Sequence, residues 1–137
     1  MTTFESEVRI LPYNQERVYT KLSNPSNLED MKKRFPEEKM RNLCFDENAI
    51  SLNVPVLGQL TLQIIEREPF KKIKFETINS PVPFCFWIEL DSSVGKEECK
   101  IKAFISVELN PLMKGMVQKT INDTLKSFVD LLTIIEY

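Results

Sequence analysis

The side chains in this sequence best placed by type and spacing for acid–base chemistry are carboxylates: Glu76, Glu89 and Asp91, and Glu66 with Glu68 on either side of Arg67. Two carboxylates can divide acid and base roles only where burial or like-charge crowding perturbs them. Here lysines stand at matching alternate positions, Lys72 and Lys74 on one side and Lys100 and Lys102 on the other, so the same spacing builds a solvated ladder of opposite charges. Glu66-Arg67-Glu68 ends a run just before Pro69 and also reads as solvated. The sequence contains no histidine. That removes Ser-His and Cys-His nucleophile pairs, histidine acid–base catalysis and ordinary histidine metal sites. Cys44, Cys85 and Cys99 lack CxxC spacing and read as small core or sheet residues. The three glycines, at 58, 95 and 115, cannot build a phosphate-cradling loop. No metal and no cofactor are expected.

Composition narrows the classes further. A chain of 137 residues, 42% of them hydrophobic, is expected to form one domain over 1–137 with an ample core. A net charge of -2 provides no general attraction to phosphate backbones, and the basic stretches Lys32-Lys33-Arg34 and Lys71 to Lys74 are bracketed by acids or alternate within a strand, so no nucleic-acid partner is expected. No segment approaches 18 uninterrupted apolar residues, and Met1 to Arg9 is not a charged stub followed by an apolar run. With an odd number of unpaired cysteines, this predicts a cytoplasmic protein without a transmembrane segment.

The elements that would position any site begin with the last 27 residues. From Pro111 to Tyr137, Met113, Val117, Ile121, Leu125, Phe128, Leu132 and Ile135 recur at three- and four-residue steps, which predicts one amphipathic helix roughly 35 Å long. A stripe that long needs a sheet to cover it. Before it, the period is two: Met40 to Phe45, Ala49 to Val54, Gln59 to Arg67, Lys71 to Asn79, Phe84 to Asp91 and Cys99 to Leu109 are strand candidates. The connections carry turn residues, at Asp46-Glu47-Asn48, Pro55 with Gly58, Glu68-Pro69, Ser80 to Pro83 and around Gly95, and their shortness predicts an antiparallel meander. Ahead of these lie a strand from Phe4 to Leu11 and two short helices, about Asn14 to Ser23 and Pro25 to Arg34, the second opened by Asn24-Pro25 or by a capping box from Ser26 to Glu29. Val18, Leu22, Leu28, Met31 and Phe35 are expected to face inward.

Charge and hydrophobicity together suggest the register. Setting Phe75 against Ile88 and Ile73 against Leu90 also sets Lys74 against Glu89 and Lys72 against Asp91. Setting Ile88 against Ala103 and Phe86 against Ile105 pairs Glu89 with Lys102 and Asp91 with Lys100. The same register places Trp87 against Phe104 on the outer face, a candidate surface for a protein partner or a homodimer.

The order strand, two short helices, six strands, long helix resembles the helix-grip superfamily that includes START lipid-transfer domains, the birch-pollen allergen and bacterial polyketide cyclases and aromatases, often called SRPBCC. The resemblance covers the whole chain. Val18-Tyr19-Thr20-Lys21-Leu22-Ser23-Asn24-Pro25-Ser26-Asn27-Leu28 is similar to the family's opening helix pair. Ser80-Pro81-Val82-Pro83-Phe84 with Trp87 resembles a strand entry of small bacterial members, and Ile105 to Lys114 their last strand running into the gripping helix. The resemblance implies an α+β fold, a seven-stranded curved antiparallel sheet around the C-terminal helix, with an apolar cavity opening near the short helices. The tight Asp46-Glu47-Asn48 turn replaces the glycine-rich loop of plant members, so their hormone binding does not transfer. No residue matches a cyclase active site.

On this reading the expected function is binding or transport of a small apolar, lipid-like or polyketide-like ligand without catalysis. Phe75, Thr77, Phe86, Ile88, Ala103, Ile105, Thr120, Thr124 and Phe128 are the candidate lining, or else plain core. A cyclase- or aromatase-like enzyme acting on a polyketide-type substrate is the alternative, and would need polar groups inside, for which the threonines and Ser6 are the candidates. A protein-interaction module using the outer sheet face is the third.

Overall fold

The computed structural model of the chain describes residues 2–34, 44–54, 58–78, 80, 83–92, 97–135 and 137. The first sheet edge is set by a serine. Strands β1 (Thr2–Glu5) and β2 (Arg9–Leu11) both pair antiparallel with the strand Cys99–Val107. Phe4 opposes Ile105 and Arg9 opposes Ile101, so the first segment takes one residue more than its partner. Ser6 explains the extra residue: its N–H donates to the Ala103 carbonyl and its hydroxyl accepts from the Ala103 N–H, both at 2.9 Å. A side chain thus stands in for a ladder carbonyl. The strand expected to be continuous from Phe4 to Leu11 is therefore interrupted, so that among the described residues the sheet runs as a path of seven strands with β2 as an eighth segment beside β8.

Helix α1 (Gln15–Leu22) starts at Asn14, whose Oδ1 accepts from Arg17 N at 2.8 Å, and buries Val18 and Leu22 as the spacing predicts. Pro25–Arg34 is a 3-10 helix. Asn24 tightens its entry, its Oδ1 accepting from Ser26 N at 3.1 Å and its carbonyl from Asn27 N at 3.0 Å. Glu29 does not complete a capping box with Ser26; its carboxylate accepts from Phe45 N at 2.8 Å and ties this helix to the sheet. Leu28 is buried. The placements of the Met31 and Phe35 side chains, residues 40–43 of the Met40 to Phe45 strand, Asn79, and the turns at Pro55, at 81–82 and around Gly95 lie outside the described residues.

β3 (Cys44–Phe45), β4 (Ala49–Val54), β5 (Gly58–Glu68), β6 (Lys72–Ile78), β7 (Phe84–Ser92) and β8 (Cys99–Val107) form the curved antiparallel sheet in the order β1-β8-β7-β6-β5-β4-β3, with β2 beside β8. Apart from the crossover that returns β1 and β2 to β8, it is the meander that short connections dictate. The β7–β8 register is as read from the charges, with Ile88 opposite Ala103, Glu89 opposite Lys102 and Asp91 opposite Lys100. The β6–β7 register differs by two residues: Phe75 opposes Phe86, Ile73 opposes Ile88, Lys72 opposes Glu89 and Lys74 opposes Trp87. A shift of two keeps every side chain on its own face, so alternation could not distinguish the registers. Contacts do: the Phe75 and Phe86 rings lie 5.8 Å apart inside, and the Lys74 and Lys72 ammoniums sit 5.7 and 5.8 Å from the Trp87 ring outside. Between β5 and β6 a bulge at Ile65 leaves that residue unopposed and exposed.

Helix α2 (Pro111–Ile134) is capped by Asn110, whose Oδ1 accepts from Met113 N at 2.8 Å. It ends before Tyr137, to which the periodicity had extended it. Val117, Ile121, Leu125 and Leu132 are buried as predicted, together with Val129, in one core cluster with the inward residues of the longer strands. The core thus lies between the concave sheet and α2.

Candidate functional site

Over its last turns α2 is closely packed, with Val129 and Leu132 each 1% exposed. Phe75, Ile88 and Ala103, candidates either for a cavity lining or for plain core, are buried at 1%, 2% and 0% exposure and do not line the cavity described below. Toward the helix N-terminus the packing opens into a cavity of about 50 Å³. Its sheet wall is Leu52 and Leu62 from β4 and β5, Phe84 and Phe86 from β7, and Ile105 and Val107 from β8. Its helix wall is Met113, Val117, Ile121, Thr124, Leu125 and Phe128, with Leu109 from the β8–α2 connection. The edge-to-face pair Phe86 and Phe128, 4.8 Å between centroids, stands where the cavity meets solid core. Of the expected lining residues, Phe86, Ile105, Thr124 and Phe128 come together here.

Phe84, Val107 and Leu52 lie where β7 begins and where β8 and β4 approach their ends, so the cavity sits at the end of the sheet that carries the β4–β5, β6–β7 and β8–α2 connections. Helix α1 belongs to the other end, where Gln15 Nε2 donates to the carbonyls of Phe70 and Leu90 and Tyr19 packs edge-on to Phe70 at 5.6 Å. The cavity described here therefore does not reach α1. At that far end the core is closed by Tyr137, whose hydroxyl donates to the Leu132 carbonyl at 2.7 Å and whose ring meets Tyr13 at 5.4 Å. Burial holds the Tyr137 hydroxyl above the usual tyrosine range, with Cys99 and Tyr13 adding to the shift.

The cavity is dry by chemistry. Thr124 is its polar residue, and its hydroxyl donates to the Thr120 carbonyl at 2.8 Å, one helical turn back. Thr120 itself is half-buried and does not reach the space. The Thr77 hydroxyl accepts from Phe84 N at 3.1 Å, outside the lining. Ser6, the remaining polar candidate, is committed to the β8 backbone. Among the described residues no buried side-chain nitrogen or oxygen lacks a partner, so nothing polar is aimed inward and awaiting a ligand. Next to Met113 on the same helical turns, Leu112 and Met116 are 76% and 69% exposed.

The other candidates for chemistry lie away from the cavity. The Glu89 carboxylate accepts from Trp87 Nε1 at 3.1 Å on the outer face, and Asp91 accepts from Ser92 N at 2.8 Å. Cys44 is exposed, Cys85 half-buried and Cys99 buried, and burial pushes the Cys99 thiol up to about 11. Among the described residues no group of three His, Cys, Asp or Glu side chains is placed so that it could hold a metal ion. Trp87 and Phe104 stack outside the sheet at 5.1 Å with ring planes 8° apart.

The missed lining residues share inward parity with Phe86 and Ile105, which alternation shows, but which end of the sheet stands away from the helix is not encoded in parity. The repeat of Met113 and Val117 below two exposed apolar neighbours is the signal that the first helical turns are loosely covered.

No family profile matches the sequence, and no curated protein matches it. Solved structures do. Norcoclaurine synthase from Thalictrum flavum, in complex with dopamine and hydroxybenzaldehyde, superposes on 96% of this chain and 84% of its own with a TM-score of 0.73 at 15% identity. A START superfamily protein from Mycobacterium smegmatis covers 96% of this chain and 94% of its own, with a TM-score of 0.67 at 11% identity. A solution structure from Thermobifida fusca covers 97% and 91%, at 0.66 and 12%. The chain has the START/SRPBCC helix-grip fold. No helix among the described residues is long and apolar enough to cross a membrane.

Proposed function

We propose that this protein binds or carries a small, slender apolar molecule, lipid-like or polyketide-like, in the cavity between the sheet and the stretch of α2 from Met113 to Phe128, without transforming it. The observation that carries this reading is the lining: apolar side chains throughout, with the one hydroxyl turned to its own helix. Such a space stays dry and receives apolar groups by removing their surface from water, roughly 25 cal/mol per Å². Met113 and Phe128, both half-buried, are the side chains that can yield to a ligand longer than the resting space. A cyclase- or aromatase-like reaction would need an acid, base or oxyanion donor beside the substrate. The described lining supplies none, which favours a carrier or sensor over an enzyme. Three cysteines outside any disulfide suit a reducing, cytoplasmic setting for such a carrier.

The test is titration with a fluorescent polyene fatty acid. Saturable one-to-one binding is expected in the wild type, lost in Val117→Phe, which fills the cavity, and unchanged in Trp87→Lys on the outer face. Absence of saturable binding to the wild type, or binding that Val117→Phe leaves intact, would falsify the assignment.

A further inference from the structure

We propose that the outer face of the sheet binds a second copy of this chain, with the two-fold axis parallel to the strands and midway between β7 and β8. A rotation that lays a sheet face on its own copy has its axis in the plane of contact. Placed along the β7–β8 boundary, that axis sets each β7 residue over the very residue type it already opposes on β8. Within one chain Trp87 opposes Phe104, Glu89 opposes Lys102 and Asp91 opposes Lys100. Across the axis Trp87 therefore meets the partner's Phe104, and Glu89 meets the partner's Lys102, reciprocally. One strand further out, Glu5 opposes Phe104 on β1 and Lys74 opposes Trp87 on β6, so Glu5 comes over the partner's Lys74 and Lys74 over the partner's Glu5. Each charge at these positions meets its opposite while the aromatic pairs cover one another.

The surface has reason to be covered. The stacked rings of Trp87 and Phe104 are half-buried on the face turned from α2, and their lids are the ammonium groups of Lys72, Lys74 and Lys102, at 5.8, 5.7 and 5.2 Å from the ring centres, with Lys102 also paired to Glu5 at 3.2 Å and Lys72 to Glu66 at 3.7 Å. Ile10 and Ile78, 58% and 40% exposed, share that face. Four strands and about seven residues make a patch roughly 20 by 23 Å, at the small end of specific interfaces, so the dimer is weak and concentration-dependent. It is independent of whether the cavity holds a ligand.

Sedimentation velocity together with emission from Trp87, the sole tryptophan, tests this. Raising the wild-type concentration from micromolar to near-millimolar should shift the population to dimer and the emission to shorter wavelength. Glu5→Lys and Lys74→Glu should each weaken association about tenfold. An equimolar mixture of the two should recover it, because one variant carries two cations at these positions and the other two anions. If either fails to fold, Lys100→Glu mixed with Asp91→Lys gives the same readout. A chain that stays monomeric, with its lysines simply shielding the rings, overturns the interface. So do single variants that associate like wild type, or a mixture no better than its components.

Discussion

A threonine hydroxyl on the apolar side of a helix can point into the adjoining space or back to its own backbone, and Thr124 does the latter, reaching the Thr120 carbonyl at 2.8 Å. A ligand in the cavity thus meets no polar demand from it. Thr124→Val, which keeps the shape and deletes the hydroxyl, should leave fatty-acid affinity within about twofold and stability within about 0.5 kcal/mol. A tenfold loss of affinity in that titration would mean that the hydroxyl turns to the ligand. Cys99 sets a pH limit. Burial raises its thiol from the ordinary 9.0 to about 11, so the unfolded chain gives up this proton first. The contribution to stability is whole below pH 9 and is lost as pH rises toward 11, amounting to as much as about 2 kcal/mol. Tyr137, also raised by burial, acts in the same direction above its own usual value. Urea midpoints measured across this window should fall, and the fall should be smaller in Cys99→Ala.

Among elements, the joint between α1, the β3–β4 turn and β5 depends on one side chain. Arg67 donates through Nε and Nη2 to the Ser23 carbonyl at 3.1 and 3.0 Å, and through Nη2 to Asn48 Oδ1 at 2.8 Å and the Glu47 carbonyl at 3.3 Å. Lysine carries its charge as a point and cannot span these acceptors. Arg67→Lys should therefore cost about 1 kcal/mol in chemical denaturation although the charge is kept, and a midpoint equal to wild type would show the clamp to be idle. From the residues alone Arg67 read as a solvated charge before Pro69, because its acceptors come from segments 19 and 44 positions away. The same limit governed β6 against β7. Charges on alternate positions repeat every two residues, so they identified the faces but left the offset to Phe75 against Phe86 and to Lys74 over Trp87. By contrast the β7–β8 register and the α2 cap at Asn110 were legible, since each rests on neighbouring residues whose partners leave no second arrangement.

For the whole molecule, element order and the change of period from two to 3.6 made the helix-grip architecture readable from the sequence. The location of the cavity was not, because it depends on how far α2 stands from each end of the sheet. Parity put Phe75, Ile88 and Ala103 on the correct face, but they are buried in the core and do not line the cavity. The resulting molecule is dense at the α1 end and hollow at the other, and a hollow responds to compression. The volume decrease of unfolding scales with the internal space that is eliminated, and the apolar cavity of about 50 Å³ adds to it. Hydrostatic pressure should therefore unfold this chain readily, beginning around the first turns of α2. A bound fatty acid, or Val117→Phe, should raise the midpoint pressure by removing the void, even where the melting temperature barely moves. High-pressure fluorescence of Trp87 would follow it, and a midpoint indifferent to both would mean that the hollow already closes in solution.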